Sequence, residues 1–230
     1  MNSNFENFKS AIARIYHSNG SVVGTGFLVG DGYVVTCAHV VALALGISNT
    51  VPETPTGFVY LDFPLAESQK LKAEVVFWLP VNLSQKEEDI AGLKIQGQLP
   101  EKIKPLSVKT TNDYWEHKVR IFGFPQGHTQ DGIWANGTLR DRGANSWIQI
   151  DAVVGENRVI EPGFSGAPVW DDSLDSVVGM VIARVKSKEN DPNVKTAFMV
   201  PINIVINIIK AYESEVNQKK QEIENFCVVM

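Results

Sequence analysis

Short apolar runs rich in β-branched and aromatic residues recur along the chain: "AIARIY", "SVVGTGFLV", "YVVT", "FVYLDF", "AEVVFWL", "HKVRIFGF", "IWANGTL", "SWIQIDAVV", "VVGMVIARV" and "TAFMV". Turn signals punctuate them, with "SNG" at 18–20, "GDG" at 30–32, "PQG" at 125–127, "ANG" at 135–137 and "DRGAN" at 141–145. Many short strands separated by such turns predict an all-β barrel or sandwich. Two stretches carry a helical period instead. A short one follows His39 in "VVALALG". A longer one begins near Pro201 and places Ile202, Val205, Ile206 and Ile209 on one face, the spacing of an amphipathic helix. The polar tail after residue 213 continues helix-like, as a frayed end or a linker. No internal repeat is visible.

Composition narrows the class. The chain has 230 residues, 44% of them hydrophobic and 20% charged, as in an ordinary globular protein. A net charge of −5 and a pI near 5.4 argue against binding a nucleic-acid backbone, which needs a clustered basic surface. No apolar run approaches the roughly 20 residues that span a bilayer, and the N-terminus lacks the basic-then-apolar layout of a secretory signal. No membrane association is therefore expected. Two cysteines, Cys37 and Cys227, stand at opposite ends of the chain. That excludes a disulfide framework and favours a reducing, cytoplasmic setting.

Three motifs carry candidate chemistry. In "GTGFLVGDGYVVTCAHVV" (24–41), His39 follows a buried strand at the start of a short turn, fixed yet able to face a cleft. Histidine is the residue type that titrates near neutral pH, as a general base must. In "EEDIAGLKI" (87–95), Asp89 precedes a strand whose Ile90, Leu93 and Ile95 suit a core. Such a carboxylate can accept the Nδ1 proton of a histidine; Asp62 in "VYLDFPL" is a weaker rival. In "EPGFSGAPVW" (161–170), Gly163 can take backbone angles closed to other residues. The amides of Gly163 and Ser165 can then share one oxyanion space, while Gly166 and Ala167 leave the hydroxyl uncrowded. Read singly, each motif also has a structural account: a core histidine, a strand-edge aspartate, a Gly/Ser turn. Read together, the order His39, Asp89, Ser165 is the one that double β-barrels carry.

The blocks "TCAHVV", "EDIAGLKI" and "PGFSGAPVW" resemble the three signature blocks of chymotrypsin/trypsin-like peptidases. The pattern of residues 24–41 is similar to the cytoplasmic bacterial branch related to HtrA proteases. The likeness runs from about residue 11 to 213. It implies two six-stranded antiparallel β-barrels, about 11–100 and 115–200, with the active site between them. A closing helix at 202–213 and a helical tail or linker at 214–230 would follow, so that 1–213 forms the peptidase domain. It further implies Ser165 as nucleophile, His39 as base and Asp89 as its partner, with Gly163 and Ser165 supplying the oxyanion amides. No cofactor follows from it, and His17, His39, His117 and His128 lack the paired spacing of a metal site.

Departures from the family pattern are informative. Secreted relatives place an aspartate before the serine, to pair with a new N-terminal amine after zymogen cleavage. Phe164 stands there instead, so that switch cannot operate. The resemblance assigns Val159 to the floor of the primary specificity pocket, with walls from Ile182, Ala183 and Arg184 and from Thr196 to Phe198. The expected preference is for a small or medium apolar side chain, with Arg184 leaving an acidic one open. The terminal "CVVM" fits a prenylation signal formally, and a chain stopping at an arbitrary boundary explains it as well. The partners expected are a protein or peptide substrate and a sensor or regulatory domain C-terminal to the chain, as in bacterial defence proteins. A catalytically silent binding or scaffold domain is the alternative.

Overall fold

The computed structural model of the chain describes residues 3–30, 32–67, 69–81, 88–143, 146–152, 160–182 and 196–228. Strands β1 (Ile12–Tyr16), β2 (Val22–Val29), β3 (Tyr33–Thr36), β4 (Phe58–Asp62), β5 (Leu71–Val81) and β6 (Glu88–Ile95) close into one barrel. Its circular order is β1-β2-β3-β6-β5-β4. Strands β7 (Lys118–Gly123), β8 (Ile133–Arg142), β9 (Ile148–Ala152), β10 (Pro168–Asp171), β11 (Ser176–Ile182) and β12 (Thr196–Pro201) close a second, ordered β10-β11-β12-β9-β8-β7. The pairings are antiparallel throughout. Closure leaves no open sheet edge. This is the two-barrel architecture that the strand texture and motif order predicted.

One predicted turn is not a turn. "ANG" lies inside β8, where Gly137 pairs with Val119 and with Ala152. Its glycine serves close packing, because a Cβ there would come 2.5 Å from the Ile150 side chain. The short helix after the histidine is α2 (Ala38–Leu45), stopped by Gly46 in the left-handed conformation, as helix ends often are.

The C-terminal helix, α3, runs unbroken from Ile202 to Val228. Ile202 and Val205 are buried, and Tyr212 meets Tyr33 and Phe77 of the first barrel edge-on or tilted. Beyond Tyr212 the described side chains are mostly exposed. The sequence did not suggest α1 (Ser3–Ser10). Its Phe8 is fully buried, stacked on Trp134 and edge-on to Trp170. An apolar knob thus ties the N-terminal segment to the second barrel.

Candidate active site

His39 sits in the first turn of α2, and Asp89 at the entry of β6. Thr36, at the end of β3, pairs with Ala91 of β6, which brings the two motifs side by side. Asp89 is 1% exposed. One of its oxygens accepts the His39 backbone N–H at 2.9 Å, and the other lies 2.7 Å from Nδ1. A carboxylate only accepts, so Nδ1 carries the proton and Nε2 is the acceptor left for a substrate-side partner. Asp89 holds a φ of 80°. Aspartate tolerates that region better than most residues, and the strain sits where the carboxylate is aimed.

The rival aspartate is committed elsewhere. Asp62 accepts two bonds from Arg14, at 2.9 and 2.7 Å, and one from the Tyr16 hydroxyl at 2.8 Å. Arg14 also reaches the carbonyls of Thr129 and Gln130 in the second barrel, at 3.0 and 3.1 Å, so the cluster braces the two barrels. Burial, then the bond to Asp62, pushes the Tyr16 phenol up to about 12 from its ordinary 10.0. The native state therefore holds a proton that the unfolded state releases first. Its stabilising contribution is full below pH 10 and is lost as pH rises toward about 12. Tyr16→Phe should abolish that alkaline component of the stability profile, as measured by denaturant unfolding across this range.

The serine turn is built by close approach to the first barrel. The Ser165 carbonyl accepts the Thr25 N–H at 3.0 Å. Gly166 has a φ of 84°, and a Cβ on it would overlap the Thr25 carbonyl and the Thr36 hydroxyl. Sequence reasoning gave Gly166 the task of leaving the hydroxyl uncrowded; it also lets two barrels touch. The Val181 carbonyl accepts both the Gly166 N–H at 2.9 Å and the Cys37 thiol at 3.3 Å. Residues adjoining the serine and the histidine thus share one acceptor, and this stitching brings Ser165 to the His39 turn.

Gly163 has a φ of 106° and is packed against Phe124 and Pro125. Among the described residues, the Gly163 and Ser165 amides donate no hydrogen bond, and the Ser165 hydroxyl makes none. Ser165 is 4% exposed. Phe164, the departure from the family pattern, is buried in the second barrel's core. Its ring lies against Gly123, where a Cβ would come within 2.7 Å. An apolar plug stands where the secreted relatives use a carboxylate.

Of the residues expected to form the specificity pocket, Val159, Ala183 and Arg184 fall outside the described residues. Ile182 is buried and pairs with Phe198 across β11 and β12, and Thr196 opens β12. A cavity of about 400 Å³ flanks His39 and Asp89 and is lined by Ala42, Leu43, Ile47 and Val81 among others. Leu43 is 53% exposed at its rim. A second cavity of about 480 Å³ runs from Tyr16 and Val22 to Gln126, Gln130 and Gly163. The sequence signalled neither: the first is formed within the first barrel by α2, the segment after it and the ends of β5 and β6, and the second by segments of both barrels.

Two groupings could be taken for a metal site and for a second triad. Cys37, His39 and Asp89 offer ligand atoms within 4.8 Å of one another. The facing atoms of His39 and Asp89 are already bonded to each other, and the thiol is bonded to Val181, so the trio is a hydrogen-bonded pair beside a packing thiol. His117 Nδ1 lies 2.6 Å from Asp171, with Ser173 nearby. That serine bonds the carboxylate at 2.6 Å and approaches the same Nδ1 at 3.4 Å, the wrong side of the ring to yield a proton to Nε2.

Two antiparallel barrels, with a histidine–aspartate pair on the first and a glycine-framed serine on the second, have the layout of the double-barrel hydrolases. Residues 24–180 match the family described as the trypsin-like peptidase domain. The chain belongs to that family and is a serine peptidase by class. Among solved structures, it is similar to the inactive serine-to-alanine form of Rv3671c from M. tuberculosis. The TM-score is 0.62 at 19% identity, over 93% of this chain and 91% of that one. It is also similar to the apo MamO protease domain from Magnetospirillum magneticum, with TM-score 0.59 and 21% identity over 88% and 97%. At these identities the likeness concerns the fold. No curated protein matches the chain in sequence.

Proposed function

We propose that the chain is a serine endopeptidase working through a His39–Asp89–Ser165 triad. Ser165 Oγ attacks the scissile carbonyl and passes its proton to His39 Nε2. The tetrahedral oxyanion rests on the Gly163 and Ser165 amides. Collapse breaks the C–N bond, His39 returns the proton to the departing amine, and an acyl-enzyme ester remains. Water, deprotonated by His39, then hydrolyses the ester. The cycle needs no metal or cofactor. The observation that carries this reading is the 2.7 Å bond fixing the His39 ring, beside a serine turn whose two amides have no other use among the described residues.

Phe164 removes control by N-terminal amine insertion, so the chain is either active as made or controlled by another element such as a partner domain. The long exposed part of α3 suits a connection to a sensor or regulatory domain. Within this reading, the chain is an intracellular protease or the effector of a bacterial signalling or defence protein.

For substrate preference, the family resemblance assigns the pocket floor to Val159, an apolar residue type, and one wall to Ile182. The cavity beside His39 adds Ala42, Leu43 and Ile47. A peptide-library profile is expected to favour small or medium apolar residues at the cleaved bond. A profile dominated by lysine or arginine would overturn the pocket assignment while leaving the triad standing. The triad itself is tested by fluorophosphonate labelling, expected on the parent chain and lost in Ser165→Ala. Labelling that persists in the variant overturns it.

A further inference from the structure

We infer that Thr25, in the first barrel, is a positioning residue for the oxyanion amides of the second. The inference rests on the reading of Gly163 and Ser165 as the oxyanion hole. Thr25 is fully buried and lies on β2 just before that strand joins β3, whose pairing with β2 spans only Phe27 to Val29. Its backbone N–H and carbonyl are thereby left free of the β3 ladder and take other partners. The N–H holds the Ser165 carbonyl at 3.0 Å, and the carbonyl accepts the Thr36 hydroxyl at 2.7 Å.

The side chain does something the backbone cannot. Its Oγ1 donates to the Gly163 carbonyl at 2.8 Å and accepts the Phe124 N–H at 3.2 Å. One hydroxyl therefore clamps the serine turn and the turn after β7. Those two turns already touch, since Gly163 packs on Phe124 and Pro125.

The consequence is conformational. A glycine at φ 106° has many alternative backbone states within reach. The Gly163 carbonyl lies in the peptide plane between the two oxyanion amides; swinging it away from Thr25 would reset the torsions of Gly163 and Phe164 and change how the Gly163 and Ser165 amides face each other. Fixing the carbonyl holds both amides before substrate arrives, which is where an oxyanion hole draws its strength. Valine at 25 keeps the shape, but it leaves a buried carbonyl and a buried N–H without partners. Serine keeps the hydroxyl.

The test uses the full chain and a fluorophosphonate probe, whose phosphoryl oxygen occupies the oxyanion space. Thr25→Val is expected to lower the maximal inactivation rate per folded molecule about ten- to a hundredfold, with little change in the probe's half-saturating concentration. Thr25→Ser is expected to recover most of the rate. Should the valine variant not fold, Thr25→Cys, which replaces the hydroxyl with a weaker thiol donor, is expected to label at a rate between that of the serine variant and the loss expected for valine. Thr36→Val, which removes a bond to Thr25 but none to Gly163, controls for lost stability and is expected to label normally once corrected for folded fraction. A valine or cysteine variant labelling at the parental rate overturns the inference, as does a change confined to half-saturation or a failure of serine to rescue. If the parent chain itself is not labelled at Ser165, the reading of the site fails instead.

Discussion

Ser165→Ala is expected to lower kcat for peptide hydrolysis by about 10⁶-fold, or roughly 8 kcal/mol of transition-state stabilisation. Its structural cost should be small. The Ser165 hydroxyl makes no hydrogen bond among the described residues, and the anchoring bond from the Thr25 N–H goes to the backbone carbonyl at 3.0 Å. Alanine leaves that bond and the Gly166 contact in place. Folding stability should therefore stay within about 0.5 kcal/mol of the parent. Steady-state kinetics on a susceptible peptide, paired with denaturant unfolding, separate the two quantities. A variant that retains a tenth of the activity removes Ser165 from the mechanism. One that loses activity together with several kcal/mol of stability makes the serine a structural residue.

The second large effect belongs to Asp89→Asn, expected to reduce kcat by about 10⁴-fold with KM nearly unchanged. Asp89 accepts two N–H groups of the same residue, the His39 amide at 2.9 Å and the ring Nδ1 at 2.7 Å. Asparagine has a single acceptor oxygen. If that oxygen keeps the backbone amide, its NH₂ group faces the ring and selects the tautomer with Nδ1 unprotonated. Nε2 then carries the proton and cannot take one from a serine hydroxyl. Asparagine also tolerates the φ of 80° found here, so backbone strain does not confound the result. Alanine at this site would lose the carboxylate and also place a poorly suited residue at that angle. Pre-steady-state acylation kinetics on Asp89→Asn measure the effect. A loss of less than tenfold would reduce Asp89 to a cap for α2.

The strand pattern and the three motifs were readable because each depends on neighbours close in the chain. β-branched runs between turns, the "VVALALG" helix after His39, and the glycines framing Ser165 are local signals. The failures have one cause. "ANG" reads as a turn by composition, yet its glycine answers to Ile150 in a different strand. Asp62 matches Asp89 as a carboxylate at the edge of an apolar strand. Only the positions of Arg14 and Tyr16 reveal that Asp62 is occupied. Phe8 is one aromatic residue in a polar N-terminus until Trp134 and Trp170 are seen around it.

The order of histidine, aspartate and serine, together with strand texture, was enough to identify the fold, and it singled out the groups proposed to react. These are properties of residue type and sequence position, and a barrel of this kind has few ways to arrange them. How the groups are held was decided in three dimensions. The Thr25 hydroxyl, the Val181 carbonyl shared by Cys37 and Gly166, and the Phe164 ring against Gly123 all join residues far apart in the chain. Hydrogen bonds and close contacts of this sort are set by the meeting of two closed barrels. No local pattern encodes that meeting, since either partner alone reads as an ordinary strand or turn.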